Sequence, residues 1–217
     1  NHDFQFMVEQ DLAFASYIPY YFKKWIEQID TNVLPLVSKR IINNTCKILN
    51  FNYTDTLERA YKVPAENILY IHGKALSSKK LVVGHHDIST FQYGAVSPFN
   101  AAEEHGIYIQ DDDEDFRITE TKEIIKAYFQ KTYKDTFGII QMNQNFFDSL
   151  ININEIFILG HSLSSVDMDY FVEIRKRVLH SCKWYISYFS ESDLDNMEYF
   201  AKRLDIKNFQ PVMLSNL

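Results

Sequence analysis

"EIFILGHSLSSVDMDYF", residues 155–171, joins an apolar run, Ile156 to Leu159, to Gly160-His161-Ser162-Leu163-Ser164 and then to apolar residues at helical spacing. A strand, a tight polar turn and a helix in that order form the repeating unit of parallel α/β sheets. Two chemistries use such a turn. One exposes a nucleophilic serine at a strand-to-helix elbow; the other lays the ribose or phosphate of a nucleotide against a helix N-terminus.

The same alternation extends outward in both directions. A helix over about 164–179 turns Val166, Tyr170, Phe171, Ile174 and Val178 inward, and a strand follows from Trp184 to Phe189. A helix over about 192–204 buries Leu194, Met197, Phe200, Ala201 and Leu204 before a last strand near Phe209 to Leu214. Toward the N-terminus, helical spacing covers 119–134 and 139–150, and the short apolar runs "CKILNF", "NILYIH" and "LVVGH" read as strands. Continuous apolar strands alternating with helices predict an α/β fold, a mostly parallel sheet covered by helices on both faces. Two segments stand apart from it. Residues 1–44 are rich in aromatics, with Phe22, Trp25, Ile26 and Ile29 at helical spacing, and are expected to pack as a helical segment on a main domain of residues 45–217. Residues 87–117, with Gly94, Pro98, Gly106 and the acidic run Asp111 to Asp115, are expected to form an irregular excursion that could serve as a lid.

In open parallel sheets ligands bind beyond the carboxyl ends of the strands. Four expected strands end in small, polar or titratable residues: Asn52, Tyr53, Thr54 and Asp55; His72 and Gly73; Gly84, His85 and His86; Gly160, His161 and Ser162. Parallel neighbours would gather these tips around one crevice.

Composition narrows the classes of function. With 217 residues, 46% of them hydrophobic, the chain can bury one full core. No apolar run approaches the roughly 18 residues of a membrane span, and the start lacks the basic-then-apolar order of a signal peptide, so a cytoplasmic setting without a membrane is expected. A net charge of −7 without an extended basic face argues against nucleic acid as a partner. Cys46 and Cys182 match no paired metal spacing and read as two reduced thiols, which leaves the sequons at Asn43 and Asn52 coincidental. The chain opens at Asn1 rather than Met and reads as part of something longer.

Each candidate residue also has a plain structural reading. Gly160-His161-Ser162-Leu163 opens like a serine-hydrolase elbow, but the fifth position is Ser164 instead of glycine, and the only downstream histidine is His180, beyond the following helix. Ser164-x-x-Asp167 has the form of a capping box that would satisfy the first helical amides. His72 can accept a proton from a substrate hydroxyl, or it can simply end a strand by bonding a loop carbonyl. Asn52 can hold a carboxamide or a water through paired donor and acceptor groups, while Thr54 or Asp55 suits an N-cap. His85-His86, His105 and the acidic run match no metal cage, and no metal is expected.

Taken in order, "LNFNYTDTLE", "YIHG", "LVVGHH" and "FILGHSLSSVDMDYF" resemble the bacteriophage abortive infection AbiH family, itself similar to the sirtuin-like NAD-binding group. The resemblance covers about residues 45–171. It implies a Rossmann-like, sirtuin-like domain and a role in defence against phage, with NAD or a related nucleotide as substrate or ligand. By position it assigns His72 as the base, Asn52 to the nicotinamide region, and Gly160 with Ser162 to a ribose loop; His161, Gly73 and Gly84 join them at the expected rim. Thr54 stands where that group has an aspartate, and the carboxylate comes one residue later at Asp55, the candidate for stabilising positive charge on the ribose. A domain that binds NAD or a related nucleotide and could also hydrolyse it, with His72, Asn52 and Asp55 as its catalytic residues, is the leading expectation. A non-catalytic nucleotide sensor acting through a partner is the alternative, and a serine hydrolase using Ser162 is the third. A second copy of the chain or a defence protein is the expected protein partner.

Overall fold

The structure, a computed structural model, describes residues 3–35, 37, 41–85 and 116–216. In chain order the main elements are α1 (Asp3–Ser16), α2 (Ile18–Ile26), β1 (Ile48–Asn50), α3 (Thr56–Arg59), β2 (Ile68–Tyr70), α4 (Phe116–Lys131), α5 (Thr136–Met142), α6 (Gln144–Asp148), β3 (Glu155–Ile158), α7 (Met168–Arg177), β4 (Lys183–Tyr188), α8 (Ser192–Arg203) and β5 (Phe209–Met213). The α/β class expected from the alternation is the class observed. The chain divides into two compact units, one of Asn1–Lys24 with Val83–Lys134, the other of Trp25–Val82 with Asp135–Leu217.

In the first unit α1 packs on α4. Gly84 and His85 run beside the end of that helix, where His85 forms a parallel bridge with Tyr133 and its carbonyl accepts the Lys134 N–H at 2.8 Å.

The second unit holds all five strands. β1 pairs with β2, and β3, β4 and β5 form a sheet in that order; every pairing is parallel. β4 is central, and it is buried on both faces, at Trp184 and Ile186 on one and at Ser187 on the other. β5 lies at the edge, which is where Pro211 can sit without forfeiting a ladder hydrogen bond. The continuous sheet expected from the sequence is thus two pieces. β1 and β2 are only three residues long, and side chains join them to the rest: Leu49, Phe51, Leu69 and Ile71 share a core with Ile158, Phe171 and Phe200.

Two further expectations need correction. Leu81 to Val83 do not form a strand; the segment crosses the site as single chain, with the Val82 N–H donating to the His72 carbonyl at 2.8 Å and the Val82 carbonyl accepting from the Tyr53 hydroxyl at 2.9 Å. The helix expected over 139–150 is two short helices broken at Asn143, whose side-chain amide donates to the Ile139 carbonyl and so competes with the helical ladder. The excursion expected at 87–117, with His86, His105 and the acidic run, falls up to residue 115 outside the described residues. No helix among the described residues is long and apolar enough to cross a membrane.

Candidate functional site

Three strand tips of the second unit converge. Beyond β1, the Phe51 ring lies edge-on to two imidazoles, with centroids 5.6 Å from His72 and 4.5 Å from His161, and it stacks on Phe171 of α7 at 5.5 Å. His72 follows β2 and His161 follows β3, so a single aromatic ring ties the carboxyl ends of all three strands together. Asn52, Gly160 and Ser162 are exposed above it, whereas the side chains of His72 and His161 are 8% and 10% exposed.

Both histidines face Asp167. His72 Nε2 is 3.3 Å from Asp167 Oδ1, and His161 Nε2 is 3.4 Å from Oδ2, so one carboxylate stands between two imidazoles. The contact at His72 is an electrostatic approach without hydrogen-bond geometry, and its Nε2 is a buried nitrogen with no hydrogen bond. The plain reading of His72, a bond from the ring to a loop carbonyl, does not apply to that nitrogen. At His161 the other nitrogen is settled: Nδ1 accepts the N–H of Leu163 at 2.9 Å, which leaves the ring proton on Nε2, toward Asp167. Tyr53 and Tyr170 close the cluster from the sides, their rings 6.1 and 5.9 Å from His72. Burial first, and the Asp167 charge second, push both phenols above the ordinary tyrosine range.

The turn that carries His161 is tightly specified. Gly160 takes φ +61° and its N–H donates to the Ser187 hydroxyl of β4 at 2.8 Å, while Leu163 adopts φ +56°, a left-handed conformation unusual for a bulky residue. A methyl group at Gly160 would meet nothing within 4 Å; the glycine answers to the backbone angle, and the space above it is open. Gly73, at φ +88°, makes the corresponding turn after His72.

The remaining candidates have other engagements. Asp55 is buried, and both its oxygens are taken: Thr31 Oγ1 donates to Oδ1 and Arg59 Nε to Oδ2, each at 2.7 Å. Burial alone would raise its carboxyl, but the bonds from Thr31 and Arg59 and the charges of Arg59 and Lys74 outweigh it and hold the group below the usual range. Beside it Glu58 accepts from the Tyr70 hydroxyl at 3.2 Å and pairs with Lys74. Asn52 has its N–H on Asn50 Oδ1 at 3.0 Å, leaving its side chain at the surface. Gly84 belongs to the other unit, and there its small size has a local cause, since a Cβ would lie 2.0 Å from the Thr132 carbonyl oxygen.

The serine-hydrolase arrangement is not assembled. Ser162 precedes α7, whereas His180 follows that ten-residue helix, about 15 Å along its axis, with Nδ1 against Arg175. The capping-box reading of Ser164 also fails, because neither Ser164 nor Asp167 makes a side-chain cap bond. Freed from capping, Asp167 is the site residue that the sequence reading passed over; the signal available was its placement six residues after His161, within one turn of the helix start. Among the described residues no group of three or more His, Cys, Asp or Glu is arranged to hold a metal ion.

None of the curated proteins or solved structures compared with the chain matches it. The family model for bacteriophage abortive infection AbiH does match, over residues 1–188, from α1 through β4 and so across all three convergent tips. The chain belongs to the bacteriophage abortive infection AbiH family.

Proposed function

We propose that this AbiH protein acts in abortive infection by binding NAD or a related nucleotide at the rim formed by Asn52, His72 with Gly73, and Gly160-His161-Ser162, and by hydrolysing it to nicotinamide and ADP-ribose. The observation that carries the reading is His72, whose nearly buried imidazole lies 3.3 Å from the Asp167 carboxylate under a rim of exposed polar residues at three strand ends. Sites of this kind suit a titratable group recruited for proton transfer.

In hydrolysis the bond between the ribose anomeric carbon and the nicotinamide nitrogen breaks, a bond from that carbon to a water oxygen forms, and one proton of the water is left over. His72 accepts that proton, directly or from a ribose hydroxyl. Asn52, exposed at the tip of β1, orients the carboxamide or the water through its own amide. The open face above Gly160 and the free-standing Ser162 hydroxyl suit a ribose. Asp55, committed to Thr31 and Arg59, enters this scheme as a support for the loop that carries Asn52.

The test is to incubate the protein with NAD and to quantify nicotinamide and ADP-ribose. Release by the parent protein and its loss in His72→Ala and Asn52→Ala are expected; turnover unchanged in both variants sinks the assignment. Binding without turnover is the second reading, favoured by the depth of His72. A rise in melting temperature with NAD and no product would select it.

A further inference from the structure

We infer that Asp167 is a positioning residue that sets the tautomers of His72 and His161 together, making the two imidazoles a single unit; the functional consequence drawn from this rests on the reading of His72 as a base. Three observations combine. Asp167 offers one oxygen to each ring, at 3.3 and 3.4 Å, and its side chain is 15% exposed, so solvent screens these approaches weakly. The Nδ1 of His161 is already an acceptor for the Leu163 N–H, which commits that ring to carrying its proton on Nε2. Asp167 sits at the cap position of α7 without capping it, so helix termination does not account for the carboxylate.

The carboxylate charge favours a proton on each facing nitrogen, and at His72 it does so through the field alone, since that Nε2 makes no hydrogen bond. With Nε2 of His72 protonated toward Oδ1, the remaining lone pair of that ring is on Nδ1. That nitrogen then takes up a proton from water or a hydroxyl, and Asp167 stabilises the imidazolium that results. This is the division of labour by which a buried carboxylate orients a catalytic histidine. The phenols of Tyr53 and Tyr170 are the other titratable groups against His72. Both stay protonated well above neutrality, which leaves Asp167 as the charge facing the ring.

The arrangement has an asymmetric consequence. In Asp167→Asn one carboxylate oxygen becomes an NH₂ donor. His161 keeps its Nε2 proton because Leu163 holds its other nitrogen, so the amide oxygen turns to His161 and the NH₂ to His72. The NH₂ dipole then favours a bare Nε2 on His72 and a proton on Nδ1, the nitrogen that the reaction needs free.

Nitrogen-15 spectra of the imidazoles, taken on the parent protein and on Asp167→Asn, read this directly and need no turnover. The parent should show both rings protonated on Nε2, and the variant should show His72 switched to Nδ1 with His161 unchanged. His72 already on Nδ1 in the parent, or unmoved in the variant, overturns the inference; the parent spectrum decides even if the variant does not fold. Where NAD is consumed, Asp167→Asn should lower kcat at least about 100-fold with KM changed less than about threefold, since wrong-tautomer variants of such dyads lose up to about 10⁴ in kcat. An equal kcat overturns the inference as well. If the tautomer switch is seen while the parent releases no nicotinamide, Asp167 keeps its positioning role and the hydrolytic function falls.

Discussion

Removing the Asp55 carboxylate separates a structural from a catalytic role for that residue, and the size of the effect can be worked out beforehand. Thr31 and Asp55 are buried, 8% and 6% exposed, and joined by a 2.7 Å hydrogen bond across 24 residues of chain. A hydrogen bond to a charged acceptor contributes about 1.5–3 kcal/mol, and a buried donor left without a partner forfeits its desolvation. The bond to Arg59 adds a smaller, salt-screened share, because that side chain is 55% exposed. Asp55→Ala should therefore destabilise the protein by about 2 kcal/mol, a fall in melting temperature of roughly 4–8 °C for a chain of this size. Urea denaturation followed by tryptophan fluorescence is a suitable assay, since Trp184 lies in the core of the same unit. Thr31→Val completes a double-mutant cycle, with an expected coupling of about 1 kcal/mol. A melting temperature within 1 °C of the parent would refute the reasoning. So would a coupling indistinguishable from zero. Because folding lowers the pKa of Asp55, its contribution is fully present above the unfolded-state value near 3.9 and is lost as pH falls through the folded one. The stability gap between the parent and Asp55→Asn should accordingly close only below about pH 4.

The other predictions concern packing. Gly84→Ala places a methyl group on the Thr132 carbonyl oxygen and should push His85 off its bridge with Tyr133; amide exchange at Lys134, whose N–H donates to the His85 carbonyl, should speed up, and unchanged protection would count against the steric account. Phe200→Ala empties a fully buried position that meets Phe171 edge-on at 5.1 Å, and should cost about 3–5 kcal/mol in urea unfolding; a loss below 1 kcal/mol would mean that the core collapses around the gap.

Much of the second unit was legible because its strands obey simple periodicity. "IFIL" and "WYISYF" are buried or half-buried at every position but Phe189 and read as near-continuous apolar runs, and α8 begins and ends within a residue of the span its apolar spacing predicts. "LVVGH" misled for a physical reason. Its apolar side chains are wanted for packing, Val82 against the core, while its backbone groups are taken by His72 and Tyr53, so no ladder can form. Of the site, the tips bearing His72 and His161 were legible from the strand-end pattern. Asp167 was not, because Ser164-x-x-Asp167 imitates a helix cap, and only the fold reveals that its carboxylate turns back to two imidazoles instead. Asp55 was legible as a polar residue near a helix start; its tie to Thr31 spans a separation that no local pattern records.

Leu163 carries one more implication. A leucine in a left-handed backbone conformation costs about 1–2 kcal/mol, and two anchors offset it: the His161 lone pair holds its N–H, and its side chain packs against the core. A segment pinned from both sides has little freedom to swing. Whatever docks on this stretch of the rim meets a surface already in its final shape, so affinity there should owe more to fit than to any rearrangement on arrival.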